Sequence, residues 1–124
     1  MFVKSILKIV FVFLFSQSAF SQSETTSEKK KTHKAIVYGS ETCHYCIDTK
    51  KFLTENNIEY KFYDIDQDQN ALKRMLSALR KASIDVSKLE IPVVIYGESI
   101  IVNGENFPQF LTLLLETIKK ENLE

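Results

Sequence analysis

AIVYGSETCHYCIDTKKF, residues 35–52, joins a short apolar run to a helical pattern through two cysteines, and its reading decides both fold and chemistry. AIVY (35–38) is a continuous run closed by Gly39, as expected of a buried strand. Residues 43–57 read as a helix, with Thr42 as N-cap candidate and Asn56-Asn57 at its end. A thiol at the first turn of such a helix faces backbone N–H groups without intrahelical partners and the positive end of the dipole. Both favour the thiolate, the species that attacks a disulfide. With two residues between them, the second sulfur of Cys43-His44-Tyr45-Cys46 returns one turn later and can resolve a mixed disulfide formed at Cys43. Cys46 shares the inner face with Leu53, so it is expected to be the buried, less reactive partner.

Two other uses of the pair fit less well. A structural zinc site wants four ligands, whereas the chain has two cysteines and two histidines. His44 lies inside the CxxC loop and His33 in a polar tail, so no metal is expected. A purely structural disulfide closing so short a loop would constrain little unfolded-chain entropy. A CxxC beside a β-α pattern is what thiol–disulfide exchange requires.

Further along, YKFYDI (60–65) alternates as a half-buried strand does. Leu72, Met75, Leu76 and Leu79 recur at helical spacing, behind Asp66 or Asp68 as cap. PVVIY and SIIV flank Gly97-Glu98 and predict an antiparallel hairpin. Phe107, Phe110, Leu111, Leu114, Leu115 and Ile118 then form the apolar face of a last helix capped by Asn106. The element order is β-α-β-α-β-β-α, with the first two strands joined by a right-handed crossover.

The amino-terminal end has a different character. Lys4 and Lys8 lead into the apolar run Ile9 to Phe15, and small and polar residues follow to Ser21. That order is a secretory signal peptide, predicted to span residues 1–21; the apolar run is too short to cross a bilayer. Its removal takes two lysines from the 16 basic residues and none from the 16 acidic, leaving a net charge of −2. Residues 22–33 read as a flexible linker. An exported location, periplasmic or secreted, is expected, with no membrane association after cleavage. In such a compartment a thiol pair is not kept reduced by default. The even charge balance, without a basic cluster, excludes a nucleic-acid partner.

CHYC at a strand–helix junction, Ile91-Pro92 opening the third strand and Asn103-Gly104 after the fourth together resemble the glutaredoxin family, with its CPYC, Val-Pro and Gly-Gly motifs. The resemblance covers residues 34–122. It implies an α/β, thioredoxin-like fold of glutaredoxin type, a four-stranded mixed sheet with helices on both faces. It also implies Cys43 as nucleophile, Cys46 as resolving thiol and Pro92 in the cis form against them. The backbone of Ile91 would pair with an extended substrate or glutathione as an added strand. Gly104 and Glu105 would contact substrate too, and Tyr45 would pack along it or cover the helix start.

Departures from the family pattern concern glutathione and redox poise. Ser40 stands where the family commonly has Lys or Arg, and Glu105-Asn106 replaces an acidic pair, which weakens glutathione binding. His44 replaces the proline. As an imidazolium it would stabilise the thiolate and make the disulfide more oxidising; otherwise it is an exposed helix-start residue. His44 and Thr42 are the candidate redox-tuning residues. The function implied is an exported thiol–disulfide oxidoreductase that reduces or exchanges disulfides in protein or glutathione-mixed substrates. It needs no bound cofactor; glutathione is a candidate co-substrate, and an unidentified redox partner exchanges electrons with it. A monomer is expected. Alternatives are an oxidising disulfide donor, a non-catalytic peptide-binding module on the Pro92 edge, or an iron–sulfur carrier.

Overall fold

The computed structural model describes residues 32–124; the expected leader and the linker up to residue 31 lie outside the described residues. The elements are β1 (Ala35–Gly39), α1 (His44–Glu55), β2 (Tyr60–Asp64), α2 (Gln69–Lys81), β3 (Glu90–Tyr96), β4 (Ser99–Asn103) and α3 (Phe107–Glu121). The strands form one mixed sheet of order β2-β1-β3-β4, with β1 parallel to β2 and antiparallel to β3, and β3 antiparallel to β4. The α/β order and the mixed four-stranded sheet agree with the expected thioredoxin-like, glutaredoxin-type fold.

Strand alternation divides the core in two. Ala35, Val37, Val94, Tyr96 and Ile101 face Leu53 of α1 and Phe110, Leu114 and Ile118 of α3. Tyr38 and Val93 point the other way, onto Ala71, Met75 and Leu79 of α2. Helices therefore cover both faces, and β1 has hydrogen-bonded neighbours on both edges. His33, placed in the linker by the sequence, packs edge-on against Tyr96 with ring centroids 5.8 Å apart.

Local chemistry sets the helix ends. Asp68, one of the two expected candidates, caps α2 by accepting the N–H groups of Asn70 and Ala71 at 2.9 and 3.0 Å. Asn106 caps α3 by accepting from Gln109 at 3.0 Å, as expected. Both α1 and α2 end without glycine: Asn57 and Ser83 adopt φ of 56° and 57°. Behind them Ile58 N–H reaches Leu53 O, and Ile84 N–H reaches Leu79 O, the paired-carbonyl closure typical of a left-handed stop.

One strand departs from the expectation. β3 begins at Glu90, two residues before the PVVIY run. Proline has no N–H for the ladder, and the β3–β4 register shifts between Glu90 and Val93. The Asn103 side chain bridges that gap: its Nδ2 donates to Ile91 O at 3.0 Å, so pairing resumes at Glu90–Asn103.

Leu114 has no exposed surface and sits between sheet and helix in the α1/α3 half of the core. Leu114→Ala is expected to cost about 2–5 kcal/mol, through lost burial and a residual cavity. Urea unfolding followed by circular dichroism measures this.

Candidate active site

Between β1 and α1 the chain makes a tight turn in which Cys43 N–H donates to Ser40 O at 3.1 Å. This turn corrects the expected cap. Cys43, not Thr42, is the N-cap residue of α1, with extended backbone angles (φ −82°, ψ 118°). The Thr42 hydroxyl lies 2.9 Å from Ser40 Oγ instead, inside the turn and away from the helix amides. The cap acceptor is the sulfur itself: Cys46 N–H donates to Cys43 Sγ at 3.4 Å. A thiolate accepts such a bond more strongly than a thiol, so the helix start meets the Cys43 sulfur directly.

Both cysteines are free thiols, Cys43 partly exposed and Cys46 buried, as their spacing suggests. Cys46 Sγ rests on the Cα of Gly39; a Cβ there would overlap the sulfur and approach Phe62 Cε2 to 3.2 Å. Burial pushes the Cys46 thiol up, from an ordinary 9.0 to about 12, reinforced by its hydrogen bond and charge coupling with Cys43. A Ser40 backbone hydrogen bond and the Lys50 charge act in the opposite sense. Lys50, one helical turn after Cys46, lies 4.2 Å from the Phe62 ring centroid and 2.7 Å from Glu41 Oε2. Glu41 and Lys50 were not singled out from the sequence, and Gly39 only as the end of the first strand. For Lys50 a signal existed, its i+4 spacing from Cys46.

Pro92 is cis to Ile91 and its side chain is buried. The register that pairs Tyr38 with Val93 carries Pro92 opposite Gly39, and hence to the strand end on which Cys46 rests. Ile91 and Pro92 have Cα partners in neither the β1–β3 nor the β3–β4 ladder. The Ile91 carbonyl already accepts from Asn103; a carbonyl has a second lone pair. The expected role of Asn103 as a turn residue thus omits what its side chain does.

The remaining candidates surround this centre. His44 Nε2 lies 3.0 Å from Asp48 Oδ2, four residues on, with 80% of the His44 side chain exposed. The imidazole therefore faces a carboxylate along the helix, a partner readable from the i,i+4 spacing but not anticipated. Tyr45 is 44% exposed and packs at a tilt against Phe107 of α3, centroids 4.5 Å apart. Gly104 and Glu105 are exposed in the turn before α3, with open space around Gly104. Among the described residues no three His, Cys, Asp or Glu side chains converge to hold a metal.

Gly39→Ala is expected to force Cys46 away from β1. It should lower stability by about 1–3 kcal/mol, and alkylating reagents should reach Cys46 faster than in the parent. A pH effect follows from Cys46 as well. A thiol raised on folding contributes stability that is present below the unfolded value and lost as pH rises through the folded one. Urea midpoints of the reduced protein should fall between about pH 9 and about 12 more steeply than those of Cys46→Ala, in which this ionisation is missing.

The glutaredoxin family model matches residues 35–101. Among solved structures, the chain is similar to a dithiolic glutaredoxin of Trypanosoma brucei brucei, at 15% identity over 74% of this chain and 88% of that one, with a TM-score of 0.52. It is also similar to a glutaredoxin of Archaeoglobus fulgidus, at 22% identity over 68% and 88% of the two chains, TM-score 0.48. A third likeness is to glutaredoxin 1 of Francisella tularensis, at 19% identity over 71% and 98%, TM-score 0.46. No curated protein matches the sequence. The trypanosomal likeness is one of fold, and the family match runs from β1 into β4 across the cysteine pair and Pro92. On that match, over more than half of its length, the chain belongs to the glutaredoxin family.

Proposed function

We propose that the protein reduces disulfides by dithiol exchange, with Cys43 as nucleophile and Cys46 as resolving thiol. The observation that carries this reading is the geometry of the pair. Cys43 Sγ is partly exposed and takes a helix N–H, while Cys46 is buried one turn behind it. Cys43 thiolate attacks one sulfur of the substrate disulfide; the other sulfur leaves as a thiolate and takes a proton from water. Cys46 then gives up its proton and attacks Cys43 Sγ, and the second substrate sulfur departs. Two electrons and two protons pass to the substrate, and a Cys43–Cys46 disulfide remains. Two external thiols, from two glutathione molecules or one partner dithiol, restore the reduced form and leave as a disulfide.

The second step is the harder one, because burial holds Cys46 protonated. The Ser40 N–H and Lys50 ammonium offset part of that cost. The alternative direction, oxidising donation, depends on His44 lending its charge to Cys43. The pairing of His44 with Asp48 sets a carboxylate against that charge, and this favours the reductive reading. The signal-peptide pattern of residues 1–21 supports export to the periplasm or exterior, where reduction needs a dedicated electron source.

Cys43→Ser is expected to abolish reduction of a small disulfide. Cys46→Ser should complete the first attack and stall as a mixed disulfide, visible by intact mass. The potential of the pair, from alkylation gel shifts in glutathione buffers, is expected at about −200 to −230 mV. A value near about −120 mV would reverse the assigned direction, and resistance to glutathione at every ratio would make the bond structural.

A further inference from the structure

Residues 32–124 carry 11 basic and 14 acidic side chains, a net charge of −3. On α2 the balance is reversed. Its charged residues are Lys73, Arg74, Arg80 and Lys81, all exposed, and no Asp or Glu lies between Gln69 and Lys81. Ala71, Met75 and Leu79 turn one side of the helix into the core. The cations therefore fall on the side facing away, Lys73 and Arg74 two turns before Arg80 and Lys81, around the exposed Ser77. Lys61 of β2 extends this face. Its ammonium and the Arg74 guanidinium lie 5.0 and 4.9 Å from the centroid of the same ring, that of Tyr63.

Little within the fold answers this charge. Arg74 reaches Asp68 at 3.8 Å; among the described residues Lys61, Lys73, Arg80 and Lys81 are in no ion pair. Asp85, in the connector after α2, is held by its own turn, accepting from Ser87 N–H and Oγ at 2.8 and 2.9 Å. Like charges spread along about 20 Å of helix are relieved when an anionic surface lies against them. The chemistry of the face selects the kind of surface. The exposed large apolar side chains, Tyr45, Ile47, Leu113 and Leu123, all lie elsewhere. The centre of a protein–protein interface is enriched in aromatic anchors and depleted in lysine, and α2 shows the reverse. A lipid leaflet with acidic headgroups asks for cations and for no matching shape.

We propose that the outer face of α2, together with Lys61, docks on the anionic headgroups of a lipid leaflet, lying on the surface without inserting. Charge complementarity carries the inference, and it replaces the expectation that the chain is free of the membrane once its leader is removed. A leader of the kind expected at residues 1–21 brings a chain to a bilayer. The helix packs on the sheet face opposite α1, so a leaflet against α2 does not cover the α1 side. The docking does not depend on the reductase reading.

Cosedimentation of the whole chain with phosphatidylcholine vesicles, with and without about 30% phosphatidylglycerol, tests it. The ratio of anionic to neutral binding cancels any apolar contribution of the leader. In Lys73→Gln/Arg80→Gln/Lys81→Gln that ratio is expected to fall about tenfold to a hundredfold, since each cation near an anionic leaflet strengthens binding about fivefold. Lys51→Gln/Lys119→Gln/Lys120→Gln removes the same charge from exposed positions of α1 and α3, and is expected to keep most of the preference. Raising salt from about 0.05 to about 0.5 M should abolish the preference of the parent. Circular dichroism melting checks that each variant is folded. Lys81→Gln alone, at the last residue of the helix, is expected to lose about fivefold and serves should the triple variant unfold. Equal losses in the two triple variants would mark net charge alone and overturn the proposal. So would a parent without preference for anionic vesicles, a preference that survives high salt, an unchanged Lys81→Gln, or binding confined to soluble polyglutamate or duplex DNA.

Discussion

The contact between Cys46 Sγ and the bare Cα of Gly39 is the constraint around which the site is organised. It sets how closely α1 lies on the end of β1. Leu53, two turns further along α1, enters the same core as Val37 and Val94. The register of β3 on β1 then places Pro92 across from the same glycine. A side chain at position 39 would separate helix from strand at the place where the cysteines and the cis-proline strand must meet. Burying the Cys46 thiol costs it its easy ionisation, and the half-buried Lys50, held by Glu41 and the Phe62 ring, returns some charge stabilisation from the next turn.

A second constraint is the missing donor of Pro92. A proline within a sheet ladder leaves an acceptor on the neighbouring strand or forces a bulge. Here the register shifts, and across the shift the Asn103 carboxamide donates an N–H to Ile91 O. The glutaredoxin resemblance puts a glycine at that position, which has no side chain to offer. Asn103 thus ties the proline strand to the turn that opens α3, and joins the two walls between which a substrate would lie.

Most of the architecture was legible in the sequence because its signals are periodic. The stripe Leu72, Met75, Leu76, Leu79 marks α2 although the two residues with the most complete burial beside Leu79 are Ala71 and Met75; the helix turns slightly from the expected face to set the small Ala71 against the sheet. What was not legible depends on side-chain direction. Thr42 is a better capping residue than cysteine by type, yet the turn closed by Cys43 N–H on Ser40 O spends the Thr42 hydroxyl on Ser40 and brings the sulfur to the helix amides. His44 was readable as a charge near the thiol, but its pairing with Asp48 needed the i,i+4 neighbour to be considered as a competitor. The strand start at Glu90 was hidden because proline argues against an interior strand position, and the side chain that bridges the register shift lies 11 residues downstream of Pro92, on β4.

The capping role of Cys43 makes the first turn of α1 chemically perishable. An N-cap Ser or Asp stays an acceptor whatever the protein is doing, whereas this acceptor is a sulfur that, under the proposed exchange, would itself react. A sulfur held in a disulfide is a weaker acceptor than a free one, so under the proposed exchange the Cys46 N–H would keep its better partner in only one redox state. Helix α1 would then be less firmly fastened at its start in the disulfide state. Under the proposed exchange, the amide protons at its start would record the oxidation state of the pair.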